Sequence, residues 1–231
     1  MGAPPTTFVV SDLHIGSRYF PCSEFLAWLD ALPSESELIL NGDVLDNLRR
    51  PLTGQHQAVL DRLIRESDRR SLVWIYGNHD NGLVLRESGR IRFARRWELG
   101  DRLLIFHGDR LDDMLPRFRL LKPLVELLYR QSIRFGRHDV HVAQYAKGWP
   151  ILYHIFNRRI ARKALRMARA LGFEAVTCGH THAALELERD GIRYLNTGAW
   201  TEPPLYYLEV EGERVSLRMF RNGDSGLPVN G

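Results

Sequence analysis

Two cysteines in 231 residues, Cys22 and Cys178, are too few for a disulfide framework, and a reducing compartment would keep both as small packing residues. Neither sits in a pattern that marks a nucleophile. Runs of apolar residues long enough to span a bilayer are missing, and Met1 to Thr7 lacks both the basic start and the apolar stretch of a signal peptide. The expected compartment is therefore the cytoplasm. There is no internal repeat and no low-complexity tract. What remains is 44% hydrophobic, ample for a core. The expectation is a single domain over residues 1–231 with an insert at 111–172.

The net charge of +4 hides an uneven distribution. Leu111 to Gly172 holds about 13 Lys and Arg against 4 Asp and Glu, so the rest of the chain is acidic. Such a basic block suits an anionic partner: a phosphate, a nucleic acid or an acidic membrane face.

Thr7 to Val10, Leu38 to Leu40 and Ser71 to Tyr76 read as buried strands. Between them, Glu24 to Leu32 and His56 to Glu66 carry apolar residues at helical spacing. Strands alternating with amphipathic helices predict βαβ units and a largely parallel sheet, at whose carboxyl edge ligands gather. Ile91 to Trp97 and Arg102 to Phe106 read as shorter strands. Pro123 can open a helix in the basic block, and Ile151 to Leu171 is a long helical pattern stopped by Gly172. Ala175 to Cys178 returns to strand. Leu185 to Glu188, Ile192 to Asn196, Leu205 to Val210 and Val215 to Phe220 read as antiparallel strands with turns at Arg189-Asp190-Gly191 and Glu211-Gly212-Glu213.

Five short motifs punctuate this pattern: Ser11-Asp12-Leu13-His14, Asn41-Gly42-Asp43, Tyr76-Gly77-Asn78-His79-Asp80, His107-Gly108-Asp109 and Gly179-His180-Thr181-His182. Each sets an Asp, Asn or His beside a small or turn-forming residue, and most follow a predicted strand directly. Any one alone is more often a turn or a surface pair than a metal site. Together they take five of the nine histidines, leaving His56, His138, His141 and His154 outside. Asp12 and His14, two apart, would point to the same side of an extended chain. The same spacing serves His180 and His182. Asp43 has two carboxylate oxygens, enough to bridge two cations about 3.5 to 4 Å apart. With the Asn78 oxygen and His107, these donors make a mixed oxygen and nitrogen shell, which favours Mn2+, with Fe, Zn or Co possible, over Mg and Ca. Two divalent ions would polarise phosphoryl oxygens and activate a water for in-line attack, so no protein nucleophile is required. His79 can protonate the leaving group, oriented by Asp80 or Asp46.

In this order the motifs resemble the calcineurin-like metallophosphoesterase superfamily, from Phe8 to about Phe220. The resemblance implies an α/β fold, a four-layer α/β/β/α sandwich with a helical insert. It also implies that Asp12, His14 and His182 hold one ion and Asn78, His107 and His180 the other, with Asp43 bridging and His79 catalytic. Within the superfamily the chain is most similar to UDP-2,3-diacylglucosamine hydrolases, which release UMP from a lipid A precursor. Three features carry that likeness: Ser11-Asp12-Leu13-His14, the insert after His107-Gly108-Asp109, and Gly198-Ala199-Trp200. The chain departs from those hydrolases at His79, where they usually carry Arg. The likeness implies a lid for acyl chains, a nucleotide-linked glycolipid substrate and a place on the cytoplasmic face of the inner membrane. Asn78 and His79 would touch substrate, as would Asp113 near its channel. Arg158, Arg162 and Lys163 are candidate phosphate contacts from charge and position. Competing expectations are a nuclease or general phosphodiesterase, with the basic block tracking a nucleic acid, and a non-catalytic module that kept the fold.

Overall fold

The computed structural model describes residues 5–112 and 150–221, with side chains described from 5 to 112 and from 153 to 221. In chain order the elements are β1 (Thr7–Val10), α1 (Cys22–Ala31), β2 (Glu37–Asn41), α2 (Gly54–Arg69), β3 (Leu72–Ile75), β4 (Arg92–Ala94), β5 (Trp97–Leu99) and β6 (Leu103–Ile105). A 3-10 turn at Asp109–Leu111 follows, then α3 (Pro150–Leu171), β7 (Ala175–Cys178), β8 (Ala184–Arg189), β9 (Ile192–Thr197), β10 (Tyr206–Glu211) and β11 (Arg214–Met219). The helix expected from Pro123, together with His138 and His141, lies outside the described residues.

The strands form two sheets, ordered β11-β10-β1-β2-β3-β4 and β5-β6-β7-β9-β8. β1 to β4 run parallel in the first, as do β6, β7 and β9 in the second. Their side chains alternate between two apolar environments, because successive strand residues point to opposite faces. Phe8, Val10, Leu38, Leu40, Leu72 and Trp74 pack with the residues of α1 and α2. Val9, Ile39, Val73 and Ile75 instead meet Leu103, Ile105, Ala175 and Leu195 between the sheets. On the far side, Leu104, Phe106, Val176, Cys178 and Tyr194 pack on Ala161, Ala164, Leu165 and Ala168 of α3. The result is helix, sheet, sheet, helix, with strands apolar on both faces as buried parallel strands must be. Both cysteines are free and buried.

The segment expected as one strand, Ile91 to Trp97, is two. Exposed Arg95 and Arg96 break it, so that β4 closes one sheet and β5 opens the other. The two C-terminal hairpins also part company: β8 and β9 complete the second sheet, whereas β10 pairs with β1 in the first. Every loop carrying a motif leaves the carboxyl end of β1, β2, β3, β6 or β7, and both sheets deliver these loops to one edge. Among the described residues, no helix is long and apolar enough to cross a membrane.

Candidate metal centre

Five of the residues singled out in the motifs, Asp12, His14, Asp43, His180 and His182, have φ between 50° and 64°. Outside glycine, the one other described residue in that region is Asp190, in a hairpin turn. Left-handed backbone is costly for a side-chain-bearing residue and persists where surrounding structure enforces it. Here the enforcement is visible: the amides of Asp12, His14 and Ile15 donate to the carbonyls of Gly42, Asp43 and Val44, at 3.0, 2.9 and 2.8 Å. The loops after β1 and β2 are thereby laid side by side. Asp12 and His14 do converge, but not by the alternation of an extended strand. β1 has ended at Val10, and successive left-handed turns aim the two side chains.

Ligand atoms of Asp12, His14 and His182 lie within 4.8 Å of one another, as do those of Asp43, His107 and His180; His14, Asp46 and His79 form a third such group. His182 Nε2 stands 3.3 Å from Asp12 Oδ1 and 3.2 Å from His14 Nε2. His107 Nε2 stands 3.2 Å from Asp43 Oδ2. Asn78 Oδ1 is 3.0 Å from His180 Nδ1, which adds the expected amide oxygen to the second group. The backbone N–H of His180 donates to both Asp12 oxygens at 3.1 Å, and that of His79 to Asp43 Oδ1 at 2.8 Å. Gly77 and Gly179 make these approaches possible. A Cβ at Gly77 would collide with the Asp43 carboxylate, and one at Gly179 with that of Asp12.

The electrostatics fit a cation. Asp12 and Asp43 are almost fully buried. Burial works against their charge, but the neighbouring imidazoles, His107 foremost, hold both carboxyls below the ordinary aspartate range. Burial likewise disfavours a charged His107, yet Asp43 and Asp12 outweigh it and the imidazole is raised to about 10. For His182, hydrogen bonds with Asp12 and Glu202 outweigh burial and raise it to about 9. His107 Nδ1 donates to the Asn41 carbonyl at 3.0 Å, and its Nε2 makes no hydrogen bond of its own. A neutral His107 would therefore turn a lone pair on a carboxylate unless a cation lay between them. His14 Nδ1 is similarly buried without a hydrogen bond, 3.3 Å from Asp46 Oδ1.

His79 is exposed at the rim, and its Nδ1 donates to the Asp46 carbonyl at 2.7 Å. The orienting group is thus the backbone of Asp46, not Asp80. The Asp80 carboxylate is buried and accepts from the amides of Gly77 and Val44 and from Trp74 Nε1, tying the β3 loop to the β2 loop. Gly198-Ala199-Trp200 also proves to be scaffolding. Trp200 packs on Phe25 and Trp28, both at 5.2 Å between ring centroids, and its amide donates to the Asp12 carbonyl.

The insert residues fare differently. Asp113 lies outside the described residues, whereas its neighbour Asp112, which the motifs did not single out, has Oδ2 3.1 Å from His180 Nε2. Glu202 was equally missed and stands 3.5 Å from His182 Nδ1. The available signal for both was an acidic residue shortly after a motif or signature, Asp112 after His107-Gly108-Asp109 and Glu202 after Trp200. Arg158 and Arg162 are exposed on α3, and Lys163 donates to the Leu111 carbonyl at 2.7 Å. Arg162 and Lys163, with Arg159, Arg166, Arg169 and Arg189, line a groove of about 580 Å3 beside the β8–β9 turn. None of the motif residues lines it. The end of α3 nearest the candidate ligand groups is its first turns, where Tyr153 donates to the Thr181 carbonyl and the Phe156 ring lies 6.4 Å from that of His180.

Buried carboxylates and imidazoles gathered in adjoining groups, with an amide oxygen and an exposed histidine beside them, are the equipment of a metal-dependent hydrolase. Residues 5–184 match the family model for calcineurin-like phosphoesterases, and the chain belongs to that family, whose members are metal-dependent phosphoesterases. A search of curated proteins found no match. Solved structures with a similar fold include vacuolar protein sorting 29 from Cryptosporidium parvum, at 14% identity and TM-score 0.47, covering 95% of this chain and 98% of that one. The phosphoesterase YfcE from E. coli is 15% identical, with TM-score 0.45 and 91% of each chain covered. The nuclease MPE from Pseudomonas putida is 16% identical, with TM-score 0.43, covering 92% of this chain and 87% of that one.

Proposed function

We propose that Asp12, His14 and His182 hold one divalent ion, that Asn78, His107 and His180 hold a second, and that Asp43 bridges them. The observation that carries this is the pair of adjoining ligand groups built on left-handed backbone at the carboxyl edge of both sheets. Two such ions, Mn2+ in preference with Fe, Zn or Co as substitutes, supply Lewis acidity and a reactive water for in-line displacement at phosphorus. The chain's own residues do the rest. The His79 amide fixes one Asp43 oxygen, leaving the other toward His107. The His79 ring, held through Nδ1 on the Asp46 carbonyl, keeps Nε2 to exchange a proton with the leaving group.

The substrate we propose is UDP-2,3-diacylglucosamine, cleaved at its pyrophosphate to UMP and 2,3-diacylglucosamine 1-phosphate on the cytoplasmic face of the inner membrane. The order of the motifs and the basic insert support this reading, as does α3, which turns Tyr153 and Phe156 toward the metal loop and leaves Ile155 and Leu171 about half exposed. His79 in place of the Arg usual in those hydrolases weighs against it. The arginine-lined groove favours a second reading, a general phosphodiesterase or nuclease whose substrate backbone follows it. Incubation with the glycolipid and Mn2+ separates the two. UMP release supports the first, whereas cleavage of single-stranded DNA or simple phosphodiesters without glycolipid turnover refutes it.

A further inference from the structure

His180 and His182 sit on a loop whose backbone alone does not fix their rings. Each imidazole has one nitrogen toward the proposed metal groups: Nδ1 of His180 at 3.0 Å from Asn78 Oδ1, and Nε2 of His182 at 3.3 Å from Asp12 Oδ1. The other nitrogen of each faces a buried carboxylate from an element outside the loop. Asp112 follows the 3-10 turn after β6, its side chain fully shielded from solvent, and its Oδ2 lies 3.1 Å from His180 Nε2. Glu202 follows β9, its side chain 7% exposed, and its Oε1 lies 3.5 Å from His182 Nδ1. Carboxylates are strongly solvated and are rarely buried without a reason. Both of these are buried directly behind candidate metal-binding histidines.

We infer that Asp112 and Glu202 are positioning residues that clamp His180 and His182 from behind. The inference rests on the proposed metal assignment. An N–H pointing outward to a carboxylate fixes the tautomer, so the lone pair is on the nitrogen facing inward, and the partial negative charge strengthens that nitrogen as a donor. The two residues act on different halves of the centre, Glu202 on the group with Asp12 and His14, Asp112 on the group with Asp43 and His107. Asp112, the second residue of the 111–172 stretch, thus ties the start of that stretch to the second group.

The test is Mn2+ affinity by calorimetry on the full-length protein, for Asp112→Asn, Glu202→Gln and the double variant. These isosteric changes remove charge while keeping volume. Each single variant should bind one of its two ions about 10 to 100 times more weakly, and activity should recover as Mn2+ is raised to saturation. Melting of the metal-free protein should not track the loss. If a variant fails to fold, Asp112→Glu or Glu202→Asp takes its place and should retain more affinity than the corresponding alanine. Wild-type affinity in both singles and in the double overturns the inference, as does lost activity that saturating Mn2+ does not restore. If the wild type itself binds no metal, the metal assignment has failed; if it binds and the variants bind equally, only the clamps have.

Discussion

At the scale of single residues the centre is built from side chains on strained backbone, and glycines keep the space they need clear. Gly179 has an ordinary φ, yet a Cβ there would meet the Asp12 carboxylate. Gly179→Ala should therefore displace a proposed ligand without opposing the local backbone, costing about 1 to 3 kcal/mol of stability and much of the metal affinity. Denaturant unfolding paired with metal titration reads both. His79 is the opposite case, exposed and joined to the loops through its amide and one ring nitrogen. His79→Ala should leave metal content intact and lower kcat by about 100-fold or more, the usual range for lost acid–base assistance. Steady-state kinetics beside metal analysis checks it.

The identities of these residues were legible because ligation restricts donor types so tightly that Asp, Asn and His recur at strand ends. Asp12 and His14 were expected to converge and they do, but the physical route differed, since left-handed turns and not strand alternation aim them. Asp112 and Glu202 were hidden for a plain reason. A single acidic residue carries no pattern, and its importance arises when folding sets it behind a histidine distant in sequence.

Among the elements, the strands were the most legible, since β1, β2, β3 and β7 are short apolar runs whose two faces are both buried. The split of β4 from β5 was not, because a change of sheet leaves little trace beyond the pair of arginines at the break. The pairing of β10 with β1 was equally out of reach, as hairpin spacing reports a local partner and says nothing of a distant one. α2 carries a prediction of its own. Glu66 is almost fully buried and accepts from Arg62 Nε and Arg70 Nε, each at 2.8 Å. Burial pushes its carboxyl up, but the two guanidiniums prevail and hold it below the ordinary glutamate range. A carboxyl lowered by folding contributes stability above its unfolded value near pH 4.3, and that contribution fades as pH falls through the folded value. Glu66→Gln should cost about 2 kcal/mol at pH 7, the deficit shrinking below about pH 4. Urea unfolding across pH measures it; a deficit independent of pH would mean that packing, not charge, is what Glu66 provides.

For the whole molecule, two sheets meeting at one edge make metal uptake, protonation and stability a single coupled property. Without metal, His107 is raised to about 10 and His182 to about 9, both above an unfolded histidine. Groups raised by folding contribute their full stability below about pH 6.5 and lose it as pH climbs through the folded values. The metal-free protein should therefore melt progressively lower from about pH 7 to 10. A histidine must shed its proton to take a metal, so binding should release protons and tighten with pH. The gap in melting temperature between Mn2+-loaded and metal-free protein should widen over the same interval, a trend that scanning calorimetry in each state follows.

The most direct measurement is the number of metal ions per chain after reconstitution with excess Mn2+ and desalting, made on the wild type and on Asp43→Ala. A two-ion cage assembled from both sheets requires about two ions in the wild type and a clear loss when its shared carboxylate is removed. Less than one ion in the wild type, or an unchanged number in Asp43→Ala, would contradict it.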